Sequence, residues 1–290
     1  MSERSKKARD LFYRKGDPMV AISAPSPLAA RMLERAGFEY IFLGGEATFG
    51  TMIGTPGSYL DTSEKVAIAK YFVKAVDIPV IMDCDEVCGR GAAFAEKATE
   101  QYIDVGLAGL DLDDRVLPQE RGAGQVEHEH HIASVVPIEE MVDKIEAAAD
   151  VKKRMDPDFV LRIRCYEFSD RVPLGFPLSK TIERLQAYER AGADVLYLGE
   201  IENAEDVKTV LKEVNVPCTV PAAWMNYELA KELGVCEVRH PYELVMAMNA
   251  SGWQFLTDFK ERGWDASIAM RDRFAGNPYM AEQGALNIRH

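Results

Sequence analysis

Residues 92–113 read AAFAEKATEQYIDVGLAGLDLD. They contain an amphipathic helix over 92–105, a glycine just beyond its last turn, and a strand over 109–112. A glycine in that place can take the left-handed conformation that closes a helix, and the strand follows at once. The phrase recurs as Arg35-Ala36-Gly37-Phe38 and as Arg190-Ala191-Gly192-Ala193. Working outward, short apolar runs at 19–22, 40–43, 80–82, 109–112, 159–163, 195–198, 217–220 and 237–239 read as strands. Helices are expected at 27–36, 63–75, 92–105, 138–153, 178–191, 204–214, 226–233 and 242–250. Several strands are rich in Val, Ile and Leu without clean alternation, as parallel strands covered by helices are. Eight βα units are what a closed (β/α)8 barrel of the TIM type needs. A doubly wound open sheet is the alternative. Residues 256–274 read as one more amphipathic helix, which caps the barrel or packs on a neighbouring subunit. The expected organisation is one barrel domain over 1–290 with a C-terminal helical extension at about 253–290.

The chain has 290 residues, 47% hydrophobic and 28% charged, enough for one large core, and no low-complexity linker divides it. Its formal charge is −13, from 34 basic and 47 acidic side chains. Such a chain repels phosphate backbones and anionic membranes, so neither nucleic acid nor membrane is expected as a partner. A small anionic substrate then needs a local positive centre, a metal ion or a placed arginine. Five dispersed cysteines, an odd number without tight spacing, argue against a disulfide framework and for a reducing cytoplasm. The charged start MSERSKK leads into no signal peptide, and no run is long enough to span a bilayer.

The third strand ends in Val80-Ile81-Met82-Asp83-Cys84-Asp85-Glu86, and the fourth in Leu110-Asp111-Leu112-Asp113-Asp114-Arg115. In a barrel these acidic clusters face one another across the mouth, where barrel enzymes place their chemistry. Residues two apart on a strand share a face, so Asp83 goes with Asp85 and Asp111 with Asp113. Carboxylates gathered in a small volume repel one another unless a cation sits among them, and hard oxygen donors suit Mg²⁺ or Mn²⁺. The competing reading is that these acids cap the following helices in solvent.

Met82-Asp83-Cys84-Asp85, Gly89-Arg90-Gly91 and the run Ala108–Gln119, AGLDLDDRVLPQ, resemble the isocitrate lyase/phosphoenolpyruvate mutase superfamily, with its DxD turn and "AGxxxEDxxxPK" segment. The likeness continues in Ala29–Phe38, in Leu43-Gly44-Gly45, in Tyr188–Asp194 and in Glu228–Val235, and covers about residues 5–260. The resemblance implies that a 2-oxo or 2-hydroxy carboxylate binds a Mg²⁺ ion at the barrel mouth and that a C–C or P–C bond beside it is broken or moved. It implies Asp83, Asp85 and Asp113 as the metal-site acids, with Asp85 closest to the metal and counted as catalytic. Asp113 stands where the family usually has glutamate. It implies that Gly44 and Gly45 form the turn whose backbone N–H groups hold the substrate carboxylate. Arg164 matches the arginine of the family's "ART(D/E)" strand end, which binds that carboxylate and stabilises charge in the reaction. The plainer reading of Arg164 is a salt bridge inside the barrel.

The departures from the family pattern are specific. Arg121 stands at the position of the lyase cysteine, and Gln119 at that of the mutase lysine. A third family acid falls on Gly57, for which Glu46 or Glu86 are candidate replacements. Glu127-His128-Glu129-His130-His131 reads as a solvated loop, a proton-transfer group on a lid, or a zinc chelate. Arg90 reads as a turn residue or a second carboxylate contact. Cys84, Cys88, Trp224 and Met225 read as packing residues near the pocket. The sequence therefore looks like an oxaloacetate decarboxylase or methylisocitrate lyase type of family member without the lyase cysteine. It is expected to be a Mg²⁺-dependent lyase cutting a C–C bond in a small 2-oxo or 2-hydroxy dicarboxylate through an enolate. P–C chemistry of the phosphonopyruvate type and a non-catalytic metabolite binder are the alternatives. The C-terminal helix resembles the family's exchanged helix, implying a homodimer or homotetramer.

Overall fold

A computed structural model describes residues 2–84, 87, 90–115, 135–166, 177–199, 201, 203–221 and 224–277. The strands are β1 (Met19–Ile22), β2 (Ile41–Leu43), β3 (Val80–Asp83), β4 (Gly109–Asp113), β5 (Val160–Cys165), β6 (Val195–Leu198), β7 (Cys218–Pro221) and β8 (Glu237–His240). All pairings are parallel, in the order β1-β8-β7-β6-β5-β4-β3-β2. A bridge between Ser23 and Phe42 joins the two ends, with the Ala24 N–H donating to the Phe42 carbonyl at 3.2 Å. The sheet is therefore the (β/α)8 barrel, not an open doubly wound sheet.

The helices are α1 (Glu3–Phe12), α2 (Pro27–Arg35), the short α3 (Thr51–Ile53), α4 (Thr62–Ala75), α5 (Ala92–Val105), α6 (Ile138–Met155), α7 (Leu178–Ala191), α8 (Ala204–Glu213), α9 (Tyr227–Leu233), α10 (Glu243–Arg262) and α11 (Trp264–Phe274). Local chemistry sets several starts. Ser26 accepts from the Ala29 N–H at 3.1 Å, with Pro27 in the first turn. Asp61 and Glu64 form a reciprocal capping box, 2.9 Å in each direction. The predicted closing glycines behave as such: Gly106 has φ +93° and Gly192 φ +115°. At Gly192 an added Cβ would also stand 2.9 Å from the Ala149 side chain, so backbone shape and space both require glycine.

Besides the short turns of helix between 51 and 59, two elements were not expected. The charged N-terminal run forms α1, whose Ala8 and Phe12 are buried with Met19, Tyr40, Ile81, Ala108, Val160 and Val195. This helix plugs the end of the barrel where the strands begin, opposite the mouth. Arg4 donates to the carbonyls of Val73 and Val76 at 2.8 and 2.7 Å, and Arg9 to Asp194 at 2.6 Å. The second is a π-helix over Gly45–Gly50, directly after β2.

Contacts divide the chain into two compact units, Met1–Pro241 and Tyr242–His290. In the second, the expected helix ends at 250 and 256 disappear. Helix α10 runs through Ser251 and Gly252, and the break falls at Gly263, with φ +57° and ψ −131°. An exposed Gly252 with no neighbour within 4 Å costs a helix about 1 kcal/mol, too little to stop it. Cys84, Cys165, Cys218 and Cys236 are buried free thiols.

Candidate active site

The inner face of the barrel is charged. Arg162 on β5 donates through Nε to Asp111 Oδ1 at 2.6 Å and through Nη1 to Glu237 Oε2. Arg239 donates through Nη2 to Asp111 Oδ2 at 2.7 Å and through Nε to Glu237 Oε1 at 3.2 Å. Strands β5 and β8 are separated in the sheet by β6 and β7, so these bonds cross the lumen. Two guanidiniums and two carboxylates alternate in a closed ring, all essentially inaccessible to water. Burial raises the Glu237 pKa against the pull of Arg162. Arg162 stays charged because Asp111 and Glu237 outweigh its own desolvation. Asp111, which shares a face with Asp113, is thus committed to the ring. A barrel-interior salt bridge of the kind considered for Arg164 is made by Arg162.

Aromatic rings connect this ring to the mouth. The Arg239 guanidinium lies 3.7 Å from the Phe42 centroid and 4.5 Å from that of Tyr197. Arg164, next along β5 on the same face, lies 4.4 Å from Tyr197 and 4.1 Å from Tyr166. Arg115 stands 5.4 Å from Tyr166 and pairs with Asp113 at 3.1 Å. Burial opposes the Arg164 charge, yet its pKa is raised above the ordinary range, with Asp113 the neighbouring carboxylate that favours the charged form. Burial pushes the Tyr197 hydroxyl up to about 12 despite Arg164. Tyr166 is also raised by burial; Arg115 and Arg164 pull it down, while Asp113 and Asp83 push it up. Both rings are neutral at physiological pH. Sequence reasoning passed over Tyr166, Tyr197 and Arg239.

Asp83 ends β3 and Asp113 ends β4, both buried, and both act electrostatically on Tyr166. The Gly45 N–H donates to Asp83 Oδ2 at 3.1 Å. One N–H of the turn expected to hold substrate therefore steadies an acid expected at the metal site. Gly44 packs near Ser23, and a Cβ on it would stand 3.1 Å from Oγ. Gly57, at the place of the third family acid, admits no side chain: a Cβ there would stand 1.9 Å from the Gly45 carbonyl oxygen. The Glu46 carboxylate lies close by. Oε2 of Glu46 and the Gly57 amide nitrogen are 2.6 and 3.4 Å from where a Cβ on Gly50 would be.

Asp114 points away from the lumen and anchors the segment after β4. It accepts from the Tyr166 N–H and the Tyr188 hydroxyl, both at 2.9 Å, while Val136 donates to its carbonyl at 2.7 Å. Burial raises its pKa from 3.8 to about 6, against Arg184 and these hydrogen bonds. Arg115 and Val135 form an antiparallel bridge. Trp224 Nε1 donates to the Ile201 carbonyl at 2.8 Å, and Met225 is buried.

Asp85, Glu86, Cys88, Gln119, Arg121, His128, His130 and His131 lie outside the described residues. Among the described residues no three His, Cys, Asp or Glu side chains gather as a metal cluster. What Asp83 and Asp113 supply is two buried hard-oxygen donors at the ends of adjacent strands, a donor type that fits Mg²⁺ or Mn²⁺.

The sequence profile of the phosphoenolpyruvate phosphomutase family matches residues 9–256. The chain is 32% identical over 206 residues to a 2,3-dimethylmalate lyase from Eubacterium barkeri, covering 70% of this chain and 66% of that one, just under two thirds of its length. It is 31% identical over 263 residues to a 2-methylisocitrate lyase from Aeropyrum pernix, covering 89% of this chain and 80% of that one. A phosphonopyruvate hydrolase solved with oxalate and Mg²⁺ shares the fold, with TM-score 0.77 and 22% identity over 100% of both chains.

Proposed function

We infer, because the chain belongs to the phosphoenolpyruvate mutase/isocitrate lyase superfamily, that it is a Mg²⁺-dependent lyase. It cleaves a C–C bond in a small 2-oxo or 2-hydroxy dicarboxylate of the oxaloacetate or substituted-malate class. The observation that carries this reading is Arg164, a half-buried arginine near the end of β5, in register with Asp113. Asp83, Asp85 and Asp113 are the residues that would hold the cation, which when bound supplies Lewis-acid stabilisation of charge on the substrate oxygens. The remaining work belongs to the chain. Arg164 donates to the carboxylate beside the breaking bond. When a 2-oxo acid loses CO₂, the electron pair of the broken bond stays on the 2-oxo acid fragment as an enolate, next to the same fixed positive charge. When a 2-hydroxy acid is cleaved, the hydroxyl gives up its proton and becomes the carbonyl of the 2-oxo acid, and the pair leaves on the other carboxylate fragment as its enolate, which is then protonated. Gly45 holds Asp83 in place through its N–H. Glu46 stands in for the family acid that Gly57 cannot carry.

The test is turnover of oxaloacetate, 2-methylmalates, methylisocitrate and phosphonopyruvate with Mg²⁺, following pyruvate, CO₂ and phosphate. Carbon–carbon products that vanish with EDTA support the reading. Phosphate release would move it to P–C chemistry, and tight binding without product to a metabolite binder. An Asp85→Asn protein that stays fully active would remove the metal assignment. Metal affinity unchanged in Glu46→Gln would remove that role for Glu46.

Met246, Trp253, Leu256 and Trp264 on α10 and α11 are 61–71% exposed, which supports assembly into a homodimer or homotetramer through this unit. Deleting the residues beyond Gly252 should then give monomers or insoluble chain. Among the described residues no helix is long and apolar enough to cross a membrane. Four buried free thiols are in keeping with a reducing cytoplasm.

A further inference from the structure

We propose that Tyr197 and Tyr166 are positioning residues that hold the Arg164 guanidinium in one orientation, and that the charged ring deep in the barrel anchors this clamp through Arg239. The proposal rests on the reading of Arg164 as the carboxylate-binding arginine.

The geometry supports it from three directions. The Arg164 guanidinium carbon lies 4.1 Å from the Tyr166 centroid and 4.4 Å from that of Tyr197. Both rings are buried, at 3% and 4% exposure, so the ring side of each contact is shielded from water. The third wall is Gly199, whose N–H donates to the Cys165 carbonyl at 3.0 Å. A Cβ on Gly199 would stand 2.7 Å from that carbonyl oxygen and 3.3 Å from Arg164 Nε. Any side chain there would push on the arginine itself. Tyr197 in turn is met by Arg239 at 4.5 Å, and Arg239 is fixed by Asp111 and Glu237. Tyr197 therefore rests on a group that does not move.

The choice of aromatic partners has a chemical reason. A carboxylate placed to fix an arginine does so at the N–H edge, the same edge that must receive the substrate. A ring contacts the face of the guanidinium and leaves hydrogen bonding to the edge. Ring contacts thus restrain the guanidinium without competing for its donors.

The experiment uses the full-length protein with Mg²⁺ and oxalate as the probe anion. Oxalate affinity is measured by calorimetry, and crystal structures are compared for wild type, Tyr197→Leu and Tyr197→Phe. The expected result is a displaced Arg164 and oxalate binding weaker by about tenfold in Tyr197→Leu, with most of the affinity restored in Tyr197→Phe, which keeps the ring. On a turned-over substrate, KM should rise more than kcat falls, because the lost contact serves ground state and transition state alike. A merely structural role would lower the active fraction and leave KM alone. If Tyr197→Leu does not fold, Tyr166→Leu carries the same test from the mouth side. Arg164 unmoved, with oxalate affinity and KM as in wild type, would overturn the clamp. Wild-type protein that ignores oxalate, while the leucine variant still displaces Arg164, would instead overturn the functional reading and leave the clamp standing.

Discussion

Replacing Arg162 with methionine removes the guanidinium that ties Asp111 to Glu237 inside the barrel while keeping a side chain of comparable length. Asp111 keeps Arg239 at 2.7 Å, but Glu237 is left with Arg239 at 3.2 Å and its interaction with Tyr40. Taking one partner from a fully buried ion pair costs about 3–5 kcal/mol, because the other charge stays desolvated. In a chain of this size that is a fall of roughly 5–8 °C in melting temperature. The pH dependence gives a sharper signature. Glu237 already has a folded-state pKa raised by burial. A raised pKa means that the group's contribution is complete below its unfolded value and is lost as pH rises through the folded value. Without Arg162 the folded value climbs further, so the loss extends toward neutrality. Urea unfolding at pH 5 and pH 8 should therefore show a larger deficit for Arg162→Met at pH 8. A deficit that is equal at the two pH values, or larger at pH 5, would refute the ring as an electrostatic unit.

Asp114→Asn removes a carboxyl whose pKa rises from 3.8 to about 6 on folding, equivalent to about 3 kcal/mol. By the same sign argument the wild type loses that stability between pH 4 and pH 7, so the variant should gain on it across this interval in parallel urea titrations. Gly57→Asp, which restores the family acid in sequence, should fail in function: its Cβ would enter the Gly45 carbonyl at 1.9 Å, displace the turn that supports Asp83, and weaken Mg²⁺ binding in titration calorimetry. Gly199→Ala should destabilise the protein by about 1–3 kcal/mol in thermal unfolding, as overpacking does. It should also raise KM, since the new methyl meets both Cys165 and Arg164.

The barrel was legible because its signals are local. Helix 92–105 and helix 178–191 end at glycines that the backbone requires, and the strands 19–22 and 195–198 stand where their apolar runs stand. Helix α1 was hidden because most of its side chains are charged; its buried residues are Ser5, Ala8 and Phe12, and Ala8 and Phe12 pack against residues far away in sequence. The break between α10 and α11 was misplaced because Ser251-Gly252 carries the residue types of a helix end without the geometry of one. At the site, the strand-end positions of Asp83, Asp113 and Arg164 could be read from motif and spacing. The partners of Arg164 could not, since the contact of Tyr197 with it, and of Arg239 with Tyr197, are set by the closure of the barrel.

A signal for that hidden part did exist in the strands. Asp111 and Asp113, Arg162 and Arg164, and Glu237 and Arg239 are charged pairs two residues apart on three different strands. Between and beside them stand Leu110, Leu112, Leu161, Ile163 and Val238, all buried. Alternation on a strand sends one set of side chains outward to the helices and the other into the lumen. Reading the charged set as solvent-facing would break the barrel, because its outer face is covered by helices. The charges must therefore meet one another inside, where an unpaired charge is costly. The apolar burial that stabilises the fold lies between strands and helices, and this leaves the lumen available for a charged column. The barrel can then present Arg164 and two carboxylates at its mouth without giving up its hydrophobic core.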